Sequence, residues 1–231
     1  MAIDNINTDE ITTEILQITG YTSSALAPWA SDANLVVKLN LAAHRIPQKI
    51  RQVAQSLGFQ GRISMPMWYT TIDSTISSDT ANFVVSSGGS TGHLPVDADM
   101  VHSVMDLTDN RNIPVIESTN ESWYEALRRA QPGPTKYIHI TGMAGGTEPA
   151  FRLLPDVVTG ITPSMRLEYY RIPTDLATGS SSFPDADYRF HYLWVLIGVL
   201  EILRPDTPNY ERYLLLEKEM LIEMAESARA A

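Results

Sequence analysis

Five histidines carry most of this chain's scope for acid–base or metal chemistry: His44, His93, His102, His139 and His191. None stands in an HxH, HxxxH or HExxH spacing, so no single strand or helix delivers two of them to one metal. There is no cysteine. That removes thiolate zinc sites, iron–sulfur clusters, disulfide scaffolds and cysteine nucleophiles. Gly89-Ser90-Thr91-Gly92-His93 resembles a nucleophile elbow only superficially, because the spacing is wrong and no helical pattern follows. The glycine-rich stretches 86–92 and 142–146 lack the Lys-Ser/Thr that a phosphate loop requires, and read as hairpin turns. Val96-Asp97-Ala98-Asp99 and Pro184-Asp185-Ala186-Asp187 do not continue as calcium loops. They read as a turn and as a helix N-terminus, where carboxylates complement the helix dipole. His102, His139, Asp106 and Glu168 fall on candidate strands, but their spacing gives no reason to assemble a site from them. The expectation is no catalytic residue, no cofactor and no metal.

Charge patterning is more informative. The chain has 27 acidic and 17 basic residues in 231, a net charge of −10. That argues against a general nucleic-acid binder, which needs a basic face to displace phosphate counterions. It argues equally against an anionic-membrane surface protein. Residues 32–62 run the other way, with Lys38, Arg45, Lys49, Arg51 and Arg62 against Asp32 alone. A second cluster, Glu217, Glu219, Glu223 and Glu226, lies near the C-terminus. Glu219 and Glu223, an i,i+4 like-charge pair, could serve acid–base chemistry but read as a solvated face. The basic stripe could be a solvated face or equally a complementary surface for an acidic partner, another copy of this acidic chain included.

The elements that must position these residues are helical at both ends and stranded between. Asn7 with Glu10 has the spacing of a capping box, Ile11, Ile15 and Ile18 share a face, and Gly20 stops the first helix. Residues 21–30 read as a loop. A second helix begins at Ser31 or Asp32, with Leu35, Leu39, Ala42, Ile46, Ile50, Val53 and Leu57 on one face, and Pro47 is expected to bend it. From 63 to 178 the period falls to two. Candidate strands are 69–76, 82–86, 101–107, 114–118, 136–141, 150–154 and 165–172, interrupted by a short helix at 121–130. Tyr188–Leu203 is apolar nearly all round and reads as the central buried helix. A last helix is expected over 208–228, capped by Thr207 with Pro208 in its first turn, and with Tyr210, Leu214, Glu217, Leu221 and Met224 on one line. The expected class is α+β. Residues 1–62 and 179–231 form a helical bundle from both termini, and 63–178 an inserted antiparallel β-sandwich or barrel. The N-terminus lacks the pattern of a secretory signal. The longest apolar stretch falls well short of the roughly 20 residues of a membrane span. A cytosolic protein, or a component of a particle assembled in a cytosol, is expected.

The order of segments resembles the head-to-tail adaptor, or connector, proteins of tailed bacteriophages, the short-tailed ones especially. The likeness is carried by Ile11–Leu16, Trp29-Ala30-Ser31-Asp32, Leu39-Asn40 and Ala43 in the opening, and by Leu94-Pro95 with Asp97 in the insert. It continues through Phe151-Arg152-Leu153-Leu154-Pro155, Leu167-Glu168-Tyr169-Tyr170 with Pro173 and Leu176, and Phe183-Pro184 with Tyr188 and His191. His191 comes three residues after Tyr188, whereas the family places the two side by side. The resemblance implies a structural virion protein without catalytic residues. It implies a homo-oligomeric ring, usually of twelve copies, that joins the portal to the tail tube or nozzle. The genomic DNA would pass through the lumen without sequence-specific binding, and no membrane is involved. The candidate interface residues are then Lys38, Arg45, Lys49 and Arg51 against Glu217, Glu219, Glu223 and Glu226. The alternative is a β-sandwich binding module for a glycan or receptor, with Trp68, Tyr69, Trp123 and Tyr124 as the aromatics to present.

Overall fold

A computed structural model describes residues 6–20, 32–59, 65–75, 83–86, 91–116, 129–130, 133–144, 148–158, 162–179 and 182–230. The loop expected at 21–30, most of the helix expected at 121–130, and Trp29, Ser31, Trp123 and Tyr124 lie outside the described residues. The chain divides into two compact units, Met1–Trp68 with Ile172–Ala231, and Tyr69–Arg171. Each is described by itself.

The first unit is helical. Helix α1 (Thr8–Thr19) is closed at its start by a capping box. The Asn7 side chain accepts from the Glu10 amide at 3.0 Å, and the Glu10 carboxylate accepts from the Asn7 amide at 2.9 Å. At its end Gly20 takes φ of 71°, where a side chain would be strained. Ile11 and Ile15 are fully buried. Thr8 donates to the Ser182 carbonyl from both its amide and its hydroxyl, tying the first turn to a segment far along the chain.

The expected single bent helix is two helices, α2 (Asp32–Ala43) and α3 (Ile46–Ser56). Pro47 does not bend a continuous helix; it occupies the first turn of a new one. The physical reason is its missing N–H and its ring. Both are costly in a helix interior and harmless at a helix start. Helix α4 (Tyr192–Ile202) follows a 3-10 turn (Tyr188–Phe190). All seven residues from Leu193 to Val199 are buried, as its all-round apolarity requires. Helices α1, α2 and α5 (Tyr210–Ala230) pack around it, and α3 packs on α5. A Cβ at Gly198 would sit 2.3 Å from Ile15 Cδ1, so the glycine permits the close approach of α1 and α4. Helix α5 starts two residues later than expected, after Asn209 at φ of 71°. The Thr207 hydroxyl accepts from the Arg204 amide and does not cap that helix.

Polar side chains pin the segment that leads into α4. Buried Asn40 donates to the Leu176 carbonyl and accepts from the Leu176 amide, both at 2.9 Å, as a strand partner would. Trp68, fully buried, donates from Nε1 to the Asp185 carbonyl at 2.7 Å. The Asp185 carboxylate accepts from the Thr174 hydroxyl, and Asp187 caps the 3-10 turn through the Arg189 amide. This is the helix-entry role read from Pro184-Asp185-Ala186-Asp187.

The second unit holds two sheets. The four-stranded one has the order β1 (Tyr69–Asp73), β9 (Met165–Arg171), β4 (Ala98–Asp106), β5 (Arg111–Ile113). The five-stranded one has the order β2 (Val84–Val85), β3 (Thr91–His93), β8 (Glu148–Leu154), β7 (Tyr137–Ala144), β6 (Val115–Ile116). Among the described residues the strand pairings are antiparallel except β6 with β7, which is parallel, and Thr75 makes a further parallel bridge to Val84, so the all-antiparallel expectation is corrected there. Residues 117–136 separate the two strands, long enough for the crossover that a parallel pair requires. One buried cluster draws on both sheets, including Phe83, Val104, Ile138, Phe151, Leu153, Met165 and Leu167.

Strands β3 and β5 are additions to the expected set. β3 lies in the glycine-rich stretch read as a turn. A Cβ at Gly92 would stand 2.0 Å from the Val84 carbonyl oxygen and 2.4 Å from the Phe151 ring, so glycine is needed there for strand pairing. β5 is short and polar at its start, and the hairpin before it turns on the Asp106 carboxylate, which accepts from the Thr108 amide.

Candidate functional site

Helix α2 buries Leu35, Val36, Leu39, Asn40, Ala42 and Ala43. On a 3.6-residue period these fill one side, and Asn34, Val37 and Leu41 are left opposite them. Val37 and Leu41 are 57% and 58% exposed. Arg45 continues that row and is exposed, while Lys38 beside it is half-buried. The outward face of α2 is therefore an apolar pair, with half-buried Lys38 beside it and exposed Arg45 just past its end.

Helix α5 buries Glu217, Leu221, Met224, Ala225 and Ala228. Its outward face carries Glu211, Leu215, Glu219, Glu223 and Glu226, all exposed, with Arg212 and Lys218 also exposed. Leu215, 61% exposed, lies opposite the buried side. Leu214, expected on the buried line, is 45% exposed. Helix α5 has 21 residues and α4 has 11. At about 1.5 Å per residue, α5 extends well beyond what α4 can cover.

Of the candidate interface residues, the structure brings two together within one chain. Lys49 Nζ lies 2.5 Å from Glu217 Oε1, joining α3 to α5. Glu217 is 5% exposed. A carboxylate this deeply buried needs a cationic partner, and Lys49 supplies it. These two candidates pair with each other within the chain, 168 residues apart in sequence. Arg51 is half-buried on α3. Lys38, Arg45, Glu219, Glu223 and Glu226 remain on outward faces.

The second unit carries a polar and aromatic cluster on the four-stranded sheet. Tyr69, His102 and Tyr170 meet edge to face, with ring centroids 5.6 to 5.9 Å apart. Ser103 Oγ donates to Glu168 Oε2 at 2.5 Å. That bond holds the Glu168 carboxyl below the usual range; burial opposes it, and Tyr69 and His102 assist. Burial raises the Tyr69 hydroxyl, with Glu168 adding to the effect. Burial also raises the Tyr169 hydroxyl, which donates to Asp97 at 3.2 Å. Of the residues considered for an acid–base site, Glu168 lies beside His102, Asp106 turns the β4–β5 hairpin, and His139 belongs to the other sheet. The four are not one constellation, and no group of three or more potential metal ligands occurs among the described residues. Trp68 is buried, so it is corrected as a presented aromatic; Tyr69 is 38% exposed. No helix of the described residues is long and apolar enough to cross a membrane.

Val37, Leu41, Leu214 and Leu215 are the residues that sequence reasoning missed. The signal was present for α2, where Val36-Val37 and Leu39 with Leu41 put apolar side chains on two faces of one helix. No curated protein matches the chain. The model of the SU10 adaptor protein family matches residues 8–230, nearly the whole chain. The chain therefore belongs to the SU10 adaptor protein family, a family of phage structural adaptors and not of enzymes, whose members are virion components that interact with other head and tail parts.

Proposed function

We propose that the chain forms a ring at the head–tail junction of a short-tailed phage, joins the portal to the tail tube or nozzle, and lines part of the DNA conduit. The observation that carries this reading is the family match over residues 8–230. Both ends of the chain then build one helical bundle and the segment between them a β-sandwich. The shared core of the two sheets supports that arrangement. The net charge of −10 fits a conduit. Repeated around a ring of twelve it amounts to about −120 before screening, a field that repels phosphate and lets DNA slide. Assembly takes place in the host cytoplasm. Lys38, Arg45 and Arg51 on one side and Glu219, Glu223 and Glu226 on the other are the charged residues assigned to contacts between copies.

The test is co-assembly with the portal of the same particle, followed by analytical ultracentrifugation and cryo-electron microscopy. A portal-bound ring of integral stoichiometry is the expected result. A chain that stays monomeric with and without portal overturns the reading and favours a binding module. A lumen lined mainly by lysine and arginine would remove the conduit argument alone.

A further inference from the structure

We propose that the outward face of α2 and the outward face of α5 are the two halves of one head-to-tail contact between neighbouring copies. This rests on the ring-forming reading above and names its interface. Three observations carry it. First, both faces expose apolar side chains that a soluble helix ordinarily buries: Val37, Leu41 and Leu215 are each more than half exposed. Second, the charges around them are complementary. Lys38 lies beside the α2 pair and Arg45 just past its end, while Glu211 and Glu219 flank Leu215 one turn to either side with Glu223 and Glu226 beyond; Arg212 and Lys218 share that α5 face and leave it acidic in balance. Third, the two helices both pack on α4, and no substantial contact joins them to each other among the described residues. Their outward faces therefore point away from the central helix in different directions. One copy's α2 can meet the next copy's α5 and still leave its own α5 free for a third copy. Two unlike patches on one chain generate a closed ring when the rotation closes.

The spacing fits. Val37 and Leu41 step by four residues within α2, and Glu211, Leu215 and Glu219 do so within α5, each step one turn, about 6 Å. Arg45 follows Leu41 at the same interval in the turn between α2 and α3. With Leu41 on Leu215, Arg45 meets Glu211 if the helices run antiparallel and Glu219 if they run parallel. Either direction sets one opposite-charge pair beside the Leu41–Leu215 centre, with Val37 on the other side lying along the aliphatic stem of the remaining glutamate.

Because the chain has no cysteine, the contact can be trapped directly. Chains carrying Leu41→Cys are mixed with chains carrying Leu215→Cys, assembled with portal, and treated with a short bis-maleimide. The expected result is a covalent dimer from the mixture, and a ladder of multimers from a chain carrying both substitutions. A dimer formed by Leu41→Cys chains alone would show a two-fold contact and overturn the head-to-tail proposal. An oligomer that forms without any cross-link would place the interface elsewhere and overturn it too. Failure to form any oligomer, in unsubstituted chains as well, would instead overturn the ring reading. As a second measurement, Arg45→Glu should lower the assembled fraction about tenfold, and Glu211→Lys with Glu219→Lys should restore it. Far-ultraviolet circular dichroism of each variant separates loss of assembly from loss of fold. Unchanged assembly by a folded Arg45→Glu chain would also count against the proposal.

Discussion

The helical unit and the β-rich unit spend their polar and apolar groups differently. In the helical unit, buried polar side chains act as staples: Asn40 on Leu176, Trp68 on Asp185, Thr8 on Ser182 and Lys49 on Glu217. In the β-rich unit Arg166 on Asp73 is an exposed pair and Arg152 on Asp156 a partly exposed one, buried Asp106 faces Arg111 at 3.9 Å, and one apolar cluster fills the space between strands. The apolar surface divides the other way. Of the ten exposed large apolar side chains among the described residues, seven belong to the helical unit: Val37, Leu41, Leu57, Phe183, Tyr188, Leu214 and Leu215. The β-rich unit contributes Tyr69, Val96 and Val158. A sheet buries one face and can wet the other with charge. A helix wrapped by neighbours on one side has an opposite side to dispose of. Here that side is apolar on α2 and mixed on α5, which is how an assembly surface differs from a solvated one.

Substitutions can separate the two designs. The largest effect is expected from Gly92→Ala in the β-rich unit. The added methyl meets a carbonyl oxygen that cannot move without breaking the β2–β3 pair. A loss of about 3 kcal/mol in urea unfolding is expected. A near-neutral result would mean that this edge of the sheet yields. In the helical unit, Lys49→Met leaves Glu217 buried without its cation. Such a loss costs about 3 kcal/mol, reduced because Lys49 itself reaches solvent. Adding Glu217→Leu should recover most of it, since two apolar side chains fill the same seam; a double variant no better than the single would break the staple argument. Asn40→Leu removes both bonds to Leu176 and should cost about 2 kcal/mol.

Smaller still is the acid response. Hydrogen bonds from Ser103, Arg166 and Arg189 hold Glu168, Asp73 and Asp187 below their ordinary values. A lowered carboxylate contributes stability above its unfolded value, about 4, and loses it as pH falls through the folded value. Stability should therefore decline below about pH 4. Glu168→Gln should flatten that limb, measured as melting temperature against pH; an unchanged profile would remove Glu168 from the account. The smallest effect on folding is expected from Leu41→Ser, within about 0.5 kcal/mol, because that side chain is already in water. A large destabilisation would show that the α2 face supports the fold and not assembly.

Much of the fold was legible from residues close together in sequence. Asn7 with Glu10 and Gly20 set both ends of α1, and the run from Leu193 to Val199 could only be a buried helix. The seven expected strand segments each contain a strand. What was misread depends on distant partners. A glycine-rich stretch looks like a turn until Phe151 and the Val84 carbonyl arrive beside Gly92 and make it a strand. Of the eight charged interface candidates, Glu217 is buried against Lys49, which itself still reaches solvent. No local pattern distinguishes a glutamate that finds a lysine from one that faces water.

Local chemistry thus determined the helix caps, the α4 core helix, the absence of thiol chemistry and the acidic balance, because a few neighbouring residues suffice for each. Only the tertiary structure decided that Pro47 begins a helix, that β6 and β7 run parallel, that Lys49 closes on Glu217, and that Val37, Leu41 and Leu215 stay uncovered. Each of those outcomes turns on which surfaces meet across the unit, and a one-dimensional period specifies a face without naming what packs against it.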